Sequence, residues 1–155
     1  MSRLGAAVNV ITTDGPAGRH GFTASAVCSV TDLPPTVLVC INRASGSYRH
    51  FEENGVLCVN VLAGRHRALS GRFAGKLQGD ERFAEGGWTR LITGAPVLDD
   101  AAAALDCRIA RVVEAGTHSV FFCEVQDIAL DATVEGLIYF NRDYHPLGPL
   151  PRSER

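Results

Sequence analysis

Short apolar runs of the length of β-strands dominate the chain. Two of them, Thr36–Asn42 (TVLVCIN) and Val56–Leu62 (VLCVNVL), are apolar at nearly every position. A continuous apolar run of roughly four to eight residues is typical of a strand that is covered on both faces. Further runs with strand character are Ala6–Thr13, Phe22–Thr31, Leu105–Glu114, Ser119–Asp131 and Gly136–Phe140. The pattern therefore predicts a mainly β domain.

Turn-forming residues separate the predicted strands. Pro34 and Pro35 interrupt the chain before Thr36, because a residue that precedes proline is held out of the α region. Ala115–His118 (AGTH) predicts the turn of a hairpin between two of the strands. Many short strands with few helices favour a barrel or a sandwich over alternating βαβ units.

Two segments have the pattern of short helices. Ser45–Asn54 begins with a serine suited to the N-cap, and the residue that follows it, Gly55, commonly ends a helix. Arg65–Gly75 predicts a second short helix. The polar, glycine-containing stretch Lys76–Gly87 is predicted to be a loop, and the residues from His145 onward are predicted to be irregular.

Length and charge narrow the class of protein. The chain has 155 residues, which suits a single domain, and we assign residues 1–147 to that domain and 148–155 to an irregular tail. The formal net charge is −2, so no general basic surface for nucleic acid is predicted. No apolar run approaches the ~20 residues that span a bilayer, so no membrane partner is predicted either.

The five cysteines lie in apolar or β-branched runs and show no CxxC spacing. Free cysteine behaves as a small hydrophobic residue and is among the residue types most often buried. We therefore interpret all five as reduced thiols of the core, and the protein as cytoplasmic. A catalytic thiol, at Cys28 or Cys40, is the minor alternative. The five are Cys28, Cys40, Cys58, Cys107 and Cys123.

Arginine supplies fourteen of the fifteen basic residues, and Lys76 is the single lysine. A compositional bias of the genome explains this on its own. The alternative is that planar guanidinium groups are needed at particular positions, for phosphate above all. Only the position of each arginine decides between the two explanations.

Several familiar motifs are absent from the sequence. Gly15, Gly18 and Gly21 have GxxGxxG spacing rather than the GxGxxG of a dinucleotide-binding turn. There is no Walker A sequence, no HExxH and no GxSxG. The five histidines show no spacing typical of metal ligands, so no metal site is predicted.

The stretch Gly21–Val30 (GFTASAVCSV) combines small residues with hydroxyls. Ala24, Ser25 and Ala26 leave the backbone uncovered, so a flat ring can approach the strand closely. Hydroxyls such as that of Thr23 offer neutral hydrogen bonds to a ribityl chain or a phosphate. The alternative is a tightly packed barrel strand without a ligand, and the residues alone favour neither.

A second candidate site begins where a predicted strand leads into a helix, at Asn42–Ser47 (NRASGS). The free N–H groups and the dipole of a helix N-terminus favour a phosphate at such a place. Arg43 adds a positive charge, and Ser45 and Ser47 add hydroxyls. Ordinary capping of the helix explains the same residues, so this site also stays open.

Several segments together resemble the short-chain flavin reductase family, the reductase components of two-component flavin monooxygenases. They occur in the family's order over residues 1–147 and read GFTASAVCSVTDLPPTVLVCIN, VLCVNVL, LSGRFAG, GAPVL, AGTHSVFFCEV and GLIYFNRDYH. No single segment is specific, but the ordered set is. The resemblance implies an FMN-binding split β-barrel of Greek-key type with short flanking helices, which assembles as a homodimer.

The resemblance also implies cofactors and a partner. NADH or NADPH would reduce FMN or FAD, and the reduced flavin would pass to a flavin-dependent monooxygenase. The hydride step needs no general base, which agrees with the absence of paired carboxylates or a catalytic triad. A flavin-binding split-barrel protein that holds FMN tightly without reducing free flavin is the alternative function. A haem-binding or structural split-barrel protein is a weaker alternative.

Carried over residue by residue, the resemblance implies a set of site residues, grouped by the part of the ligand they would contact. The isoalloxazine would be lined by Thr23, Ala24, Ser25 and Ala26. The ribityl phosphate would be held by Asn42, Arg43, Ser45 and Ser47. The flavin site would be bordered by Phe73 and Ala74, and the nicotinamide side by His118, Tyr144 and His145.

His118 is the candidate catalytic residue. It would orient the nicotinamide or, as an imidazolium, favour the anionic reduced flavin. The alternative is a histidine that only hydrogen-bonds its own hairpin turn.

Overall fold

Strands make up most of the computed structural model, which describes residues 1–149. Two short α-helices, α1 (Tyr48–Asn54) and α2 (Arg67–Ala74), lie between strands. Two 3₁₀ turns, Gly64–His66 and Gly79–Ala84, come before and after α2. In this part of the chain the strands are β1 (Ala6–Ala7), β2 (Asn9–Thr13), β3 (His20–Ala24), β4 (Val27–Asp32), β5 (Pro35–Asn42), β6 (Val56–Val61), β7 (Trp88–Arg90), β8 (Pro96–Leu98), β9 (Ala103–Ala115), β10 (His118–Leu130), β11 (Gly136–Phe140) and β12 (Asp143–Leu147).

Seven antiparallel strands form one sheet, in the order β3-β2-β6-β9-β10-β5-β4. Its two edge strands, β3 and β4, follow each other in the chain and are joined only by Ser25 and Ala26. The Cα atoms of Ala24 and Val27 can therefore be no more than about 11 Å apart. The sheet must curl until its edges meet, which makes a barrel that is open along one line. We call the junction at residues 24–27 the seam.

The single strand predicted over Phe22–Thr31 is thus two strands, β3 and β4, on opposite edges of the sheet. The chain changes direction at Ser25 and Ala26, where Val27 N donates to Ser25 O at 2.9 Å. Small side chains permit this change because they leave room around the backbone. The prediction of extended structure is confirmed on both sides of the break.

A smaller sheet, β1-β11-β12, lies beside the barrel. Val8 joins it to the large sheet, because its amide donates to Leu137 O at 2.9 Å and its carbonyl accepts from Leu62 N at 3.0 Å. A two-stranded ribbon, β7-β8, completes the β-structure of the described residues. The sequence pattern did not predict β1 as a separate strand, nor β7 and β8.

The end of the chain is more regular than predicted. Residues 145–147 belong to β12, so the expectation of irregular structure from His145 onward is wrong for them. β12 is an edge strand, where Pro146 is tolerated because one side of such a strand needs no ladder hydrogen bonds. Residues 148 and 149 have no regular structure. The rest of the predicted tail, 150–155, lies outside the described residues.

The core has two parts, and β6 contributes to both. Leu57 and Val59 belong to a cluster formed by strands of the large sheet and α1. Val56 and Cys58 belong to a second cluster, which includes residues of β8 and β11. β6 is therefore buried on both faces, as its continuous apolar run predicts. The largest fully buried side chains are Phe51, Phe73 and Phe121.

β5 departs from the same prediction. Val37, Val39 and Ile41 are buried, but Leu38 and Cys40 remain partly exposed. The strand is thus covered on one face only. The expectation of burial on both faces is wrong for a single chain, because no other element of the described residues covers the outside of the sheet here.

The uncovered side of β5 continues onto neighbouring strands. Leu38 is opposite Phe122 of β10 and Cys28 of β4, and Phe122 is opposite Arg111 of β9. Directly opposed residues point to the same side of a sheet. The result is an outer apolar face, made of Cys28, Leu38, Cys40, Val113, Val120 and Phe122.

The cysteines divide into buried residues and residues on the outer apolar face. Three of them, Cys58, Cys107 and Cys123, are buried, as predicted. Cys28 is exposed and Cys40 is partly exposed, so the expectation of five core thiols is wrong for these two. Burial, and then the nearby Cys28, raise the pKa of the Cys40 thiol above its ordinary value. A raised pKa disfavours the reactive thiolate at Cys40.

Both predicted helices are present but begin later than the pattern indicates. Ser47, not Ser45, occupies the N-cap of α1, and Gly55 ends the helix with φ of 69°. Ser45 instead accepts a hydrogen bond from Ser47 N on its Oγ at 3.2 Å. Among residues 1–149, no helix is both long enough and apolar enough to cross a membrane.

The predicted loop Lys76–Gly87 contains a 3₁₀ turn, and Arg82 organises it. The Arg82 guanidinium donates to backbone carbonyls at 2.6 to 3.0 Å. Its acceptors are the carbonyls of Gly21, Phe73, Gly75 and Leu77. The loop is therefore fastened to β3 and α2 rather than free.

Candidate functional site

A pocket opens at the seam of the barrel. Its volume is about 180 Å³, and its lining residues are Val8, Thr23, Ala24, Ser25, Tyr139 and Tyr144. Ala26 is exposed beside it, with its carbonyl accepting from Cys40 N at 3.0 Å. The structure thus brings the Thr23–Ala26 stretch and Tyr144 to one place, although about 120 positions separate them in the chain.

One buried serine ties the walls of this pocket together. Ser70, on α2, has no exposed surface, and its carbonyl accepts from Thr23 Oγ1 at 2.6 Å. Its own hydroxyl lies 3.0 Å from the phenol oxygen of Tyr144. The hydroxyl proton of Thr23 is therefore committed to Ser70, and only its oxygen lone pairs remain for a ligand. Three elements, β3, α2 and β12, are linked by these side chains.

Two more side chains contact the ring of Tyr144. The guanidinium carbon of Arg67 lies 5.2 Å from the ring centroid, and Arg67 also pairs with Asp143 at 3.5 Å. The ring of Tyr139 meets it edge-on, with 5.4 Å between centroids. Such contacts restrict the rotation of an aromatic side chain, so this wall of the pocket is formed in advance.

Phe73 supports the pocket from behind rather than from its surface. It is 1% exposed and packs against Phe83 and Trp88, with ring centroids 5.1 and 5.5 Å away. It also fills the space beside Gly21, where a Cβ atom would lie 2.8 Å from Phe73 Cε1. Ala74, the other residue of this predicted pair, is exposed at the end of α2.

The Asn42–Ser47 segment uses most of its amide donors internally. Asn42 accepts from Ala44 N on Oδ1 at 2.9 Å and from Ser45 N on its carbonyl at 3.0 Å. Ser47 is 4% exposed, so its hydroxyl faces the protein. Within the described residues, the side-chain NH₂ of Asn42 and the N–H of Gly46 make no hydrogen bond. These two donors, with the hydroxyl proton of Ser45, are what the segment offers to a ligand.

His118 is the first residue of β10 and lies directly across from Asn42 on β5. It is exposed, and its Nδ1 lies 2.8 Å from Thr117 Oγ1. The alternative in which the histidine bonds its own turn is therefore realised at one ring nitrogen. Its Nε2 makes no hydrogen bond to the part of the chain that the structure describes, and Arg43 lies against the same turn.

His145 and Tyr144 are neighbours in β12, so their side chains point to opposite faces. Tyr144 lines the pocket, and His145 lies on the other side with its Nε2 3.2 Å from Phe140 O. A single chain therefore does not bring His145 into the pocket.

A histidine pair joins β3, the strand that carries Thr23 and Ala24, to α1. The rings of His20, on β3, and His50, on α1, are 4.4 Å apart at 30° to each other. Burial, helped by the charges of His50 and Arg82, lowers the pKa of His20 from 6.5 to about 4. His20 therefore stays neutral at neutral pH, with its buried Nδ1 lacking a partner in the described residues.

Two residues that line the pocket, Val8 and Tyr139, and the buried Ser70 behind it were not predicted from the sequence. Ser70 lies in the LSGRFAG segment, of which only Phe73 and Ala74 were singled out. No local signal identifies Ser70, because its partner Tyr144 is 74 positions away. The two hydroxyls meet only through the packing of α2 against β12.

The pocket residues fit a flavin ring system. The pocket lining combines the small residues Ala24 and Ser25 with the aromatic side chains of Tyr139 and Tyr144. A slot of this kind accepts a planar ring between backbone and aromatic surface. A volume of about 180 Å³ is smaller than the ~300 Å³ at which pockets for small-molecule ligands begin, so a flavin would extend beyond it over Ala26.

The curled sheet with its open seam defines a split β-barrel protein that carries a slot for a planar ring. Comparison with known proteins identifies it further. The sequence profile described as flavin reductase like domain matches residues 1–148, and the chain belongs to that family.

Individual relatives agree with this membership. An FMN reductase (NADH) RutF from Variovorax paradoxus (strain S110) is 62% identical over 97% of this chain and 84% of its own length. The crystal structure of the protein ycdh from Haemophilus somnus 129PT matches with a TM-score of 0.92, at 48% identity over 95% of this chain and 94% of that one. A homologue of nitrilotriacetate monooxygenase component B from Mycobacterium thermoresistibile matches with a TM-score of 0.89, at 26% identity over 99% and 88% of the two chains. The predicted split-barrel fold is confirmed.

Proposed function

We propose that the protein is an NADH-dependent flavin reductase that delivers reduced flavin to a partner monooxygenase. The observation that carries the proposal is the slot at the seam, in a chain of the flavin reductase family. FMN and NADH are the favoured pair because the V. paradoxus relative is named for them. The monooxygenase partner is supported by the likeness to nitrilotriacetate monooxygenase component B.

The chain's own residues would hold the flavin in place. Ala24, Ser25 and Ala26 let the ring lie against backbone at the seam, while Tyr144 covers it from the other side. Flavin and nicotinamide supply the redox chemistry, in which a hydride passes from one ring to the other. The protein's task is to hold the rings at about 3–3.5 Å and to exclude water.

The polar end of the flavin would extend from the slot towards the Asn42–Ser47 segment. Ala26 lies beside Cys40 on β5, and Asn42 follows two residues later on the same strand. Two strand residues span about 7 Å, which suits the ribityl chain. The donors that remain there, on Asn42 and Gly46, would bind the phosphate, together with the hydroxyl of Ser45.

His118 would contact the nicotinamide. It lies across β5 from Asn42, at the same end of the sheet as the proposed phosphate site. Because Nδ1 already bonds Thr117, Nε2 is the nitrogen that remains for a ligand. An imidazole that donates or accepts through one fixed nitrogen can orient the nicotinamide amide without taking part in the hydride step.

A homodimer would complete the site. Within the described residues the outer apolar face has no cover other than the Arg111 guanidinium over Phe122, and contiguous apolar surface of this kind marks interfaces between proteins. The slot alone is too small for a flavin, so a second chain would supply the remaining wall. His145, which faces away from the pocket of its own chain, would be free to contact the partner. A cytoplasmic location is also proposed, since all five cysteines are free thiols.

The test compares NADH and NADPH oxidation with FMN, FAD and riboflavin. We expect turnover, fastest with NADH and FMN. No turnover in any combination, with a yellow protein that keeps its flavin on gel filtration, would support the alternative of a tight flavin-binding protein. A haem Soret band would overturn both.

A His118→Ala variant tests the catalytic assignment. We expect the rate constant of flavin reduction to fall at least about tenfold, with flavin affinity changed by less than about threefold. The matched control is Glu114→Ala, an exposed residue of the same hairpin. Unchanged NADH turnover in the His118 variant would remove His118 from the site.

A further inference from the structure

Arg43 donates to three consecutive carbonyls of the β9–β10 turn. Its backbone N–H donates to Thr117 O at 3.0 Å, and its Nη1 donates to His118 O at 2.6 Å. Its Nη2 donates to Gly116 O. One residue on the β5–α1 connection therefore holds every carbonyl from Gly116 to His118.

These carbonyls belong to a turn that has little other support. Gly116 and Thr117 form a two-residue loop, with Gly116 at φ of 61°, a conformation that favours glycine. Such a loop follows the exposed end of β9, and loop tips are ordinarily mobile. The guanidinium bridges two of its carbonyls with a rigid planar fork, which a lysine ammonium cannot reproduce.

The β9–β10 turn also fixes the imidazole of His118. Thr117 Oγ1 bonds Nδ1 at 2.8 Å, which sets the ring orientation relative to the turn. Arg43 sets the position of the turn relative to β5. The two sets of contacts together determine where Nε2 points.

We propose that Arg43 is a positioning residue for His118 and not a ligand of the flavin phosphate. Both terminal nitrogens of its guanidinium are already engaged by carbonyl oxygens. Removing the fork would leave His118 chemically intact but would take away the donors to Gly116 O and His118 O, so that only the backbone bond to Thr117 O would remain. The proposal rests on the assignment of His118 to the nicotinamide side made above.

The two roles predict different losses. If Arg43 binds the phosphate, its removal lowers the affinity for FMN and leaves the affinity for riboflavin, which has no phosphate, unchanged. If Arg43 positions His118, its removal lowers the rate constant of hydride transfer and leaves the ratio of FMN to riboflavin affinity unchanged. A misplacement of about 1 Å can cost two orders of magnitude in rate, so the effect is measurable.

The experiment uses Arg43→Ala and Arg43→Lys in the full chain. Stopped-flow mixing with NADH measures the rate constant of flavin reduction, and fluorescence titration measures the dissociation constants of FMN and riboflavin. We expect Arg43→Ala to slow reduction at least about tenfold with an FMN-to-riboflavin affinity ratio within about twofold of wild type, and Arg43→Lys to recover little of the rate. Arg49→Ala, which removes an exposed arginine of α1 whose ion pair among residues 1–149 is with Glu53, is the charge-matched control.

A double variant separates the possible outcomes. If Arg43 acts through His118, Arg43→Ala combined with His118→Ala is no slower than His118→Ala alone. Slow flavin reduction in His118→Ala, together with wild-type flavin reduction in Arg43→Ala, would overturn the positioning role and leave the proposed function standing. A selective loss of FMN affinity in either Arg43 variant would also overturn it, in favour of the phosphate role. Wild-type flavin reduction in His118→Ala would overturn both the His118 assignment and the positioning role.

Discussion

The hydroxyl of Ser70 lies 3.0 Å from the phenol oxygen of Tyr144, which lines the seam pocket. Ser70 is fully buried, so this bond is sheltered from water. The carbonyl of the same residue accepts from Thr23 at 2.6 Å. A single helical residue therefore sets the distance between the backbone wall of the slot and its aromatic wall.

We expect Ser70→Ala and Tyr144→Phe to weaken flavin binding by similar amounts, about three- to tenfold, because each removes one hydrogen bond worth about 1 kcal/mol. Since both variants break the same bond, the double variant should lose little more than either single one. Fluorescence titration with FMN measures all three. Full additivity would show that Ser70 and Tyr144 do not act through each other.

Gly21 is predicted to be intolerant of any side chain. A Cβ atom there would lie 2.8 Å from Phe73 Cε1 and 3.0 Å from Ile11 O. We expect Gly21→Ala to lower the free energy of unfolding by about 1–3 kcal/mol, as overpacking of a core does. Urea unfolding measures the change.

The matched control for this substitution is Gly71→Ala, in α2. A Cβ atom at Gly71 would meet nothing within 4 Å. Alanine favours a helix over glycine by about 1 kcal/mol, so this variant should be as stable as wild type or more stable. Equal stability of the two variants would show that the contact with Phe73 relaxes without cost.

His20 makes the stability of the protein dependent on pH. Its pKa is about 4 in the folded protein and 6.5 in the unfolded chain, so the unfolded chain takes up the proton first as the pH falls. The stabilising contribution is complete above pH 6.5 and is lost as the pH falls towards 4.

Between pH 7 and pH 5 we expect wild type to lose about 1–2 kcal/mol more unfolding free energy than His20→Gln does, allowing for the partial exposure of the site. Urea titrations at the two pH values provide the comparison. Parallel losses in the two proteins would mean that another group is responsible.

The outer apolar face provides a test of the proposed dimer. Leu38→Glu places a carboxylate between Cys28 and Phe122 on this face, where burial without a partner costs several kcal/mol. We expect the variant to sediment as a monomer and to bind FMN more weakly than wild type. Val134→Glu, at an exposed valine outside the face, should leave the sedimentation unchanged. A wild-type monomer would refute the dimer directly.

The sequence pattern correctly predicted those elements whose conformation depends on residues adjacent in the chain. The run Val56–Leu62 is buried on both faces, as expected of a run that is apolar at every position except Asn60, and the Gly116–Thr117 turn forms because glycine accepts the required φ. β12 was missed because a histidine and a proline within five residues give no strand pattern. It is held by its pairing with β11, which the pattern at residues 143–147 does not show.

The site was less predictable than the fold. Thr23–Ser25 and Tyr144 were expected and do share a pocket, yet which residues contact a flavin stays a prediction. The engagement of Arg43 by the turn, and that of Ser70 by Tyr144, depends on distances across 70 or more positions. The arginine bias acquires a partial explanation here, because Arg43 and Arg82 hold backbone carbonyls with a fork that lysine lacks.

The seam has a consequence for how such a protein can change over evolutionary time. The place where the barrel fails to close is also the place where Ala24 and Ser25 line the slot. A hydrogen-bonded ladder between β3 and β4 would add stability, but it would occupy the backbone that a planar ring needs. Ligand binding and barrel closure therefore compete for the same few residues, and selection for one works against the other.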